Sequence, residues 1–293
     1  MGTRVTDRLA PADIRRRGWR AAADLRRIVG RSGSAAPALR SIGAPRRTDI
    51  STWIEVTARR HAEYRSAHPV ADGSVAVVCV SMRPDRLDDV VRAFARQCGV
   101  VAELVFVANS PDFDIVRVES SMAEVERSTV VAAPPGASLG SALNLALETT
   151  DARFVAKFDD DDLYGPDYLT DALRAHAYAG AGVVGKHTYY TSMSDSGETH
   201  LRFPGHEFRY SGTLAGGTLV IDRERVGDQR FDDISLGEDR AFIARCHRRG
   251  ISTFSADRFN FTQVRGAHNT WQMADDEFLS GAIAVDADET IDR

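Results

Sequence analysis

A run of six apolar residues, Val75 to Val80, constrains the fold of this chain more than any other sequence feature. Valine-rich runs without polar interruption are typical of parallel strands that are covered on both faces. After a break at Arg83-Pro84, apolar residues at helical spacing extend from Leu87 to Ala95, and a second apolar run, Leu104 to Val107, follows. This order predicts a strand–helix–strand unit in an α/β fold with a mostly parallel central sheet flanked by helices.

The alternation continues toward an acidic run. Thr129 to Val131 predicts a third strand, Ser141 to Thr149 a helix, and Arg153 to Phe158 a fourth strand. That fourth strand ends directly at four consecutive aspartates, residues 159–162. Because open α/β sheets bind ligands beyond the carboxyl ends of their strands, we expect the acidic run to lie at the ligand-binding edge.

The acidic run has two interpretations. Adjacent carboxylates repel one another, so a cation or strong donors must offset their charge, and Mg²⁺ or Mn²⁺ with substrate phosphates would do so. The alternative is a solvated turn that caps a helix beginning near Pro166, where the helix dipole favours negative charge. The apolar strand before the aspartates favours the metal, because a surface cap requires no such strand.

The N-terminal part of the chain differs in composition from the rest. Residues 1–50 hold 12 Arg against 4 Asp and no Glu, a net charge of +8, so the remaining residues carry −13 of the total of −5. Gly, Pro and Ser between these arginines predict an extension, and apolar spacing from Ile50 to His68 predicts one helix that packs on the main domain. We therefore expect an Arg-rich extension with its helix, residues 1–70, and a catalytic domain, residues 71–293.

The sequence argues against a nucleic-acid partner, a membrane-spanning segment and a secretory signal. The basic extension has no aromatic residues interleaved in a nucleic-acid-binding pattern, so no nucleic-acid partner is expected. The apolar runs are far shorter than the ~20 residues of a membrane-spanning helix, and no apolar segment follows the N-terminal arginines as in a secretory signal. We therefore expect a cytoplasmic protein without a transmembrane segment. Cys79, Cys98 and Cys246 are too scattered for a zinc site or a disulfide framework.

Several motifs along the chain identify a resemblance. They are Val75 to Leu87 as a first strand with a donor loop, Gly140 to Asn144 as a small-residue helix start, Phe158 to Asp162 followed by Pro166 to Leu169 as an Asp-x-Asp motif, and Gly237-Glu238-Asp239 as a Glu-Asp motif. In this order and spacing they resemble the family 2 glycosyltransferases, which share the nucleotide-sugar-binding fold called GT-A. The resemblance covers about Val75 to Trp271.

The resemblance implies a role for each matching residue. The residues expected to bind the donor are Val80, Ser81, Arg83, Asn109, Asn144, Asp159 and Asp160. Asp161 and His268 are expected to bind Mn²⁺ or Mg²⁺, Asp239 to act as general base, and Glu238 to orient or cap. The acceptor side is expected to contain Gly216, Gly217, Thr218 and Trp271.

Some of these residues also have structural interpretations. Glu238 and Asp239 open a helical pattern and could serve as an N-terminal cap. His268 alone would fit a hydrogen-bonded structural histidine, and Trp271 a core or lid aromatic instead of one that stacks on a sugar. Two residues depart from the family pattern, since Asn109 stands where an Asp often contacts the base or ribose, and Leu143 stands where an Arg often precedes the Asn.

The expected function is metal-dependent, inverting transfer of a sugar from a nucleotide diphosphate sugar, with UDP, GDP and TDP donors all open. The acceptor offers a hydroxyl or other nucleophile and is a small molecule, a peptide or a glycan, and a homo-oligomer is left open. One alternative is a sugar nucleotidyltransferase, although the first strand is followed by Ser81 to Pro84 without the Gly-rich loop that such enzymes need. Another is a non-catalytic nucleotide-sugar-binding module, against which the intact Glu238-Asp239 pair argues.

Overall fold

The computed structural model describes residues 50–123, 125–267, 269 and 273–286. The Arg-rich residues 1–49 lie outside this part of the chain, as do His268 and Trp271. The expectations for these residues, and the division of the chain at residue 70, therefore stay predictions.

Strands and helices alternate along the described chain. The α-helices are α1 (Ile50–Ala67), α2 (Leu87–Ala95), α3 (Ile115–Met122), α4 (Leu139–Thr149), α5 (Tyr168–Ala179), α6 (Arg223–Val226), α7 (Glu238–Arg248) and α8 (Asp275–Phe278). The strands are β1 (Val75–Ser81), β2 (Ala102–Ala108), β3 (Ser128–Ala132), β4 (Phe154–Phe158), β5 (Leu163–Tyr164), β6 (Val183–Gly185), β7 (Tyr189–Met193), β8 (Thr199–Arg202), β9 (Arg209–Tyr210), β10 (Val220–Asp222), β11 (Thr253–Ser255), β12 (Phe261–Arg265) and β13 (Ile283–Val285). None of these helices is long and apolar enough to cross a membrane.

The main sheet has eight strands in the order β3-β2-β1-β4-β10-β6-β11-β9. Strands β3, β2, β1 and β4 are parallel, with Val75 opposite both Ala102 and Phe154. Strand β10 lies antiparallel between β4 and β6, and β6 is parallel to β11. Because β4, β6 and β11 run in the same direction, their carboxyl ends lie along one edge, and this edge carries the candidate site.

A second sheet has five strands in the order β13-β8-β7-β12-β5. Its strand β5 follows the acidic run directly and pairs antiparallel with β12, so that Tyr164 lies opposite Phe261. The second sheet thereby adds a wall beside the carboxyl end of β4. Its short strands carry little sequence signal, and only β12 is predicted, by the strand-like run from Phe259 to Val264.

Two hydrophobic clusters cover the faces of the main sheet. Alternate residues of β4 divide between them, since Phe154 and Phe158 join a cluster with α2 and α5, whereas Val155 joins a cluster with α4 and α7. Burial on both faces explains the apolar runs in β1 and β2, and β4 follows the same pattern except for Lys157. The α/β fold with a helix-flanked, largely parallel sheet is confirmed.

Helix α1 packs against this core as the sequence predicts. Trp53 and Thr57 are buried, and Arg258, which is 1% exposed, donates to the Thr57 hydroxyl and to the Ile54 carbonyl. The Arg258 guanidinium also pairs with the buried carboxylate of Glu207 at 3.3 Å. The helix is therefore held by a buried charge pair of the main domain and not by apolar contact alone.

Candidate active site

The acidic run lies at the carboxyl end of β4, where β1 ends beside it. Asp160 is buried and accepts hydrogen bonds from the Ser81 hydroxyl and from Arg83, although 79 residues separate it from Ser81. Arg83 also lies 3.0 Å from Asp161, measured from Nη2 to Oδ2. Burial lowers the pKa of Arg83, but its pairs with Asp160 and Asp161 outweigh burial and raise the pKa above its ordinary value. Four of the predicted donor and metal residues, Ser81, Arg83, Asp160 and Asp161, are thus brought together.

Asp161 and Asp162, the last two aspartates of the acidic run, are poorly stabilised as anions. Burial and the charge of Asp159 raise the pKa of Asp161 above its ordinary value, and the nearby Arg83 compensates for this only in part. Burial, together with Asp159 and Asp161, raises the pKa of Asp162 well above its ordinary value, although Asp162 accepts a hydrogen bond from the Val264 amide at 2.9 Å. A cation at these two carboxylates would remove this repulsion.

A short 3₁₀ turn, Gly216–Thr218, lies against the acidic run, and we call it the glycine turn. The hydroxyl of Tyr164 donates to the Gly217 carbonyl at 2.7 Å and accepts from the Asp159 amide at 2.8 Å. Tyr168 donates in the same way to the Thr218 carbonyl at 2.9 Å. Two buried tyrosines therefore fix the turn relative to the aspartates.

The lack of side chains in the glycine turn allows carboxylates to approach its backbone. A Cβ added to Gly217 would lie 2.7 Å from Asp159 Oδ2 and 2.8 Å from Asp162 Oδ2. A Cβ added to Gly216 would overlap Oδ2 of Asp239. The predicted base Asp239 therefore approaches Gly216, and the predicted donor residue Asp159, together with Asp162, approaches the adjacent Gly217.

Glu238 and Asp239 form the first turn of α7 and point to different neighbours. Asp239 is half-buried, and its Oδ1 accepts from the Arg240 amide at 2.6 Å, whereas its Oδ2 faces Gly216. Glu238 is buried, with Oε1 at 3.9 Å from Nζ of Lys157. Burial raises the pKa of Glu238 above its ordinary value, and Lys157 opposes this rise. Of the two, Asp239 is the carboxylate that faces the glycine turn.

The capping interpretations account for little of this geometry. The N-cap of α5 is Asp167, which makes no side-chain capping bond, and the carboxylates of the acidic run are bonded elsewhere. The N-cap of α7 is Gly237, in the left-handed conformation that glycine tolerates, and it provides no side-chain cap either. Asp239 bonds the amide of its own neighbour, so a contribution to the first turn of α7 remains part of its role.

The remaining predicted donor residues lie at the same edge but are partly engaged. Val80 is half-buried in β1, and the amide nitrogen of the Asn109 side chain donates to the Ala137 carbonyl at 3.2 Å. Asn144 uses both polar atoms of its side chain on the backbone of Phe231, at 2.9 and 2.8 Å. A donor contact through Asn144 would require that pair to open. Thr218, which was predicted on the acceptor side, is fully buried, and its hydroxyl donates to the Ala215 carbonyl at 2.7 Å and accepts from the Lys186 amide at 2.9 Å.

The oxygen ligands of the acidic run fit a hard divalent cation held by one or two carboxylates and by substrate phosphates. Asn269 donates to Asp161 at 3.1 Å from the loop after β12, so this loop contacts the site as well. The group of His, Asp and Glu ligand atoms that lie within 4.8 Å of one another in the described chain is a different one, His61, Asp171 and Asp257. Its charges are already compensated, since Arg65 pairs with Asp171 and Lys186 with Asp257, each at 3.2 Å.

Sequence reasoning missed the residues that hold the site together, chiefly Lys157, Tyr164 and Tyr168. The two tyrosines follow the acidic run, and nothing in the sequence around them indicates that their hydroxyls have a role in the site. Lys157 had a signal, because the chain contains only two lysines, Lys157 and Lys186, among 37 basic residues. Both are buried in ion pairs.

Comparisons with known proteins agree with this geometry. The profile of "Glycosyl transferase family 2" matches residues 75–231, which is more than half of the 293 residues. The chain therefore belongs to glycosyl transferase family 2, as the resemblance predicted, and it is a glycosyltransferase. No curated protein sequence matches the chain significantly. Family membership decides against the nucleotidyltransferase alternative.

Solved structures of glycosyltransferases resemble the fold. A mannosyltransferase from Pyrobaculum calidifontis, in complex with GDP-Man and Mn²⁺, aligns with a TM-score of 0.55 at 14% identity over 75% of this chain and 67% of its own. TarS 1-349 from S. aureus, in complex with UDP-GlcNAc, aligns with a TM-score of 0.54 at 14% identity over 71% of this chain and 64% of its own. At these identities the likeness shows the fold alone, and the chain spans less than two thirds of that TarS fragment.

Proposed function

We propose that this glycosyltransferase is metal-dependent and inverting, and that it moves a sugar from a nucleotide diphosphate sugar to a hydroxyl or other nucleophile of its acceptor. The observation that carries the proposal is the approach of Asp239 to Gly216 and of Asp159 and Asp162 to the adjacent Gly217. A single displacement needs a base for the acceptor and a divalent cation for the leaving diphosphate. Carboxylates that suit both roles lie beside this turn.

Asp239 is the general base in this proposal. The acceptor oxygen attacks the anomeric carbon, the bond from that carbon to the diphosphate oxygen breaks, and the acceptor proton passes to Asp239 Oδ2. One displacement of this kind inverts the anomeric configuration. The division of roles is supported by the contacts of the pair, because Glu238 is engaged with Lys157 and only Asp239 faces the glycine turn.

The metal proposal assigns Mn²⁺ or Mg²⁺ to Asp161, with Asp162 and Asp159 beside it and with His268 as a further ligand. The raised pKa values of Asp161 and Asp162 support this assignment, because burial and the neighbouring carboxylates destabilise both anions and a bound cation would offset that effect. When bound, the ion would stabilise the negative charge on the leaving diphosphate. The positions of Asp159, Asp161 and Asp162 would determine where the ion lies relative to the diphosphate.

The donor side is proposed at the ends of β1 and β2, with Ser81, Arg83 and Asn109 around the nucleotide and its diphosphate. Arg83 supplies a guanidinium, which suits phosphate recognition by its planar set of donors. The neighbouring structures contain GDP-Man or UDP-GlcNAc, so both UDP and GDP donors are candidates. The acceptor side is proposed at the glycine turn and Trp271.

The proposal is tested by a screen of UDP, GDP and TDP sugars with Mn²⁺ or Mg²⁺, in which the released nucleoside diphosphate is measured. We expect slow donor hydrolysis for one class of sugar nucleotide, and anomeric inversion in the product by NMR. Release of pyrophosphate would point to nucleotidyl transfer, and binding without turnover for every donor would point to a non-catalytic module. Retention of configuration would exclude the single displacement.

A further inference from the structure

Lys157 is unusual in both its chemistry and its place. The chain contains 37 lysines and arginines, of which only Lys157 and Lys186 are lysines, so arginine is the default cation of this protein. The Lys157 side chain is 5% exposed in β4, two residues before Asp159. A buried ammonium is costly unless it is paired, and it is a compact point charge, unlike the planar guanidinium of arginine.

The contacts of Lys157 join two motifs that lie far apart in the sequence. Its Nζ lies 2.6 Å from Asp159 Oδ1 and 3.9 Å from Glu238 Oε1. Its backbone amide donates to the Leu219 carbonyl at 2.8 Å, directly after the glycine turn. Lys157 therefore contacts the acidic run, the first turn of α7 and the strand that leaves the glycine turn.

These contacts also decide how the two carboxylates of the Glu-Asp motif are oriented. Glu238 lies toward Lys157 and is 7% exposed, whereas Asp239 lies toward Gly216. Without a cation at this position, Glu238 and Asp159 would repel each other, and Glu238 would have no compensating charge in its buried site. Rotation of Glu238 would then disturb the turn that places Asp239.

We infer that Lys157 is a positioning residue that fixes Glu238 and Asp159 relative to each other and thereby holds Asp239 against the glycine turn. This inference rests on the proposed function, because it assigns to Asp239 the base role. It adds a residue that neither the family motifs nor the sequence pattern assigns to the reaction.

Lys186 provides a matched control. It is also a lysine that is 5% exposed, and its Nζ pairs with the buried Asp257 at 3.2 Å. Neither its side chain nor Asp257 is part of the proposed catalytic machinery. Lys186→Met and Lys157→Met therefore remove the same buried charge, but only Lys157→Met removes it beside the Glu-Asp motif.

The experiment measures kcat with the donor found in the nucleotide-sugar screen, the affinity for UDP and GDP with Mn²⁺ by calorimetry, and the melting temperature. We expect Lys157→Met to lower kcat by roughly 10- to 100-fold, as for a misplaced reacting group, and this loss to exceed any loss of nucleotide affinity that follows from the pairing of Lys157 with Asp159. Lys186→Met should keep the wild-type kcat, whatever its melting temperature. Equal kcat in Lys157→Met and wild type, or equal losses in both lysine variants, would overturn the inference.

A double-mutant cycle with Glu238→Gln tests whether Lys157 acts through Glu238. The two losses in kcat should be less than multiplicative in Lys157→Met/Glu238→Gln, because the second change removes a partner that is already misplaced. The double variant leaves no unpaired charge on residue 238. If Lys157→Met alone does not fold, the effect of losing Lys157 is therefore measured by comparing kcat of the double variant with kcat of Glu238→Gln. Independent, multiplicative effects would exclude the coupling. A wild-type protein that turns over no nucleotide sugar would instead contradict the proposed function.

Discussion

The Cα of Gly216 faces the carboxylate of Asp239 so closely that a methyl group at residue 216 would overlap Oδ2. Gly216 has no positive φ angle, so its backbone conformation is open to alanine. The requirement for glycine at this position is therefore one of space beside the carboxylate and not one of backbone conformation.

The first prediction is that Gly216→Ala displaces Asp239 and lowers kcat on the order of 10²-fold, since a shift of about 1 Å in a reacting group can have that effect. The fold should persist, because the added methyl meets a side chain that can rotate away. The control is Gly212→Ala, whose added Cβ would lie at an ordinary 3.4 Å from His247 Cε1. Unchanged kcat in Gly216→Ala would mean that Asp239 does not act from its present position.

The second prediction concerns Asp239 as the base. Asp239→Asn retains the size and the bond to the Arg240 amide, so the protein should fold and bind donor normally. Transfer should slow by about 10²–10⁴-fold, because a positioned base is lost, whereas the loss of a cap would lower stability by only ~1 kcal/mol. Measurement of kcat beside the melting temperature separates these effects. Near-normal turnover would move the base role to another group.

The third prediction concerns the metal. EDTA should abolish turnover, Mn²⁺ or Mg²⁺ should restore it, and Asp161→Ala should remain inactive after the metal is added back. The matched control is Asp228→Asn, since Asp228 is 89% exposed and pairs only at the surface with Arg249. Full activity in the chelator, or in Asp161→Ala, would remove the metal from the mechanism.

The fourth prediction separates the Arg-rich extension from helix α1. A chain that begins at residue 46 should bind donor like the full chain. Deletion through Ala67 removes the α1 contacts of Arg258 and the buried Trp53, so we expect a loss of a few kcal/mol. For a chain of this size that corresponds to a melting temperature lower by roughly 5–15 °C. If the chain that begins at residue 46 folds but does not bind nucleotide, the Arg-rich extension is part of the site.

The fifth prediction is a pH dependence of stability that arises from His61. Burial lowers its pKa, but Asp257 and Asp171 outweigh burial and raise the pKa above the ordinary 6.5, despite the opposing charge of Lys186. Below pH 6.5 both the folded and the unfolded states are protonated, and as the pH rises the unfolded state loses its proton first. Stability from this group is therefore present below pH about 6.5 and is lost as the pH rises through the folded-state pKa.

Thermal melting from pH 6 to pH 9 checks this dependence by comparison with His61→Gln. The variant should lose less stability over this range than the wild type, because glutamine does not titrate. Arg65 and Arg174 also pair with Asp171, so part of its charge stays compensated in both proteins. Parallel pH profiles of the two proteins would show that His61 does not contribute in this way.

The sequence determines strands β1 to β4 because their signals are local. The apolar runs that became β1, β2 and β4 were readable since each is buried on both faces by its neighbours, and Asp159 follows β4 along the chain. The motif order, together with these elements, also pointed to the family before any contact was known. Strands β5, β8 and β13 of the second sheet were not readable, because two to four residues carry too little periodicity.

The tertiary structure alone decided what each functional residue contacts. Strand β10 enters between β4 and β6, and this strand order, which no local pattern encodes, brings the glycine turn onto the acidic run. Lys157 reaches Glu238 only because β4 and the start of α7 meet there, and the glycines at 216 and 217 are required only because a carboxylate approaches each of them closely. Chemistry and local conformation are properties of short segments and could be predicted, whereas the convergence of distant charges depends on the packing of the whole domain.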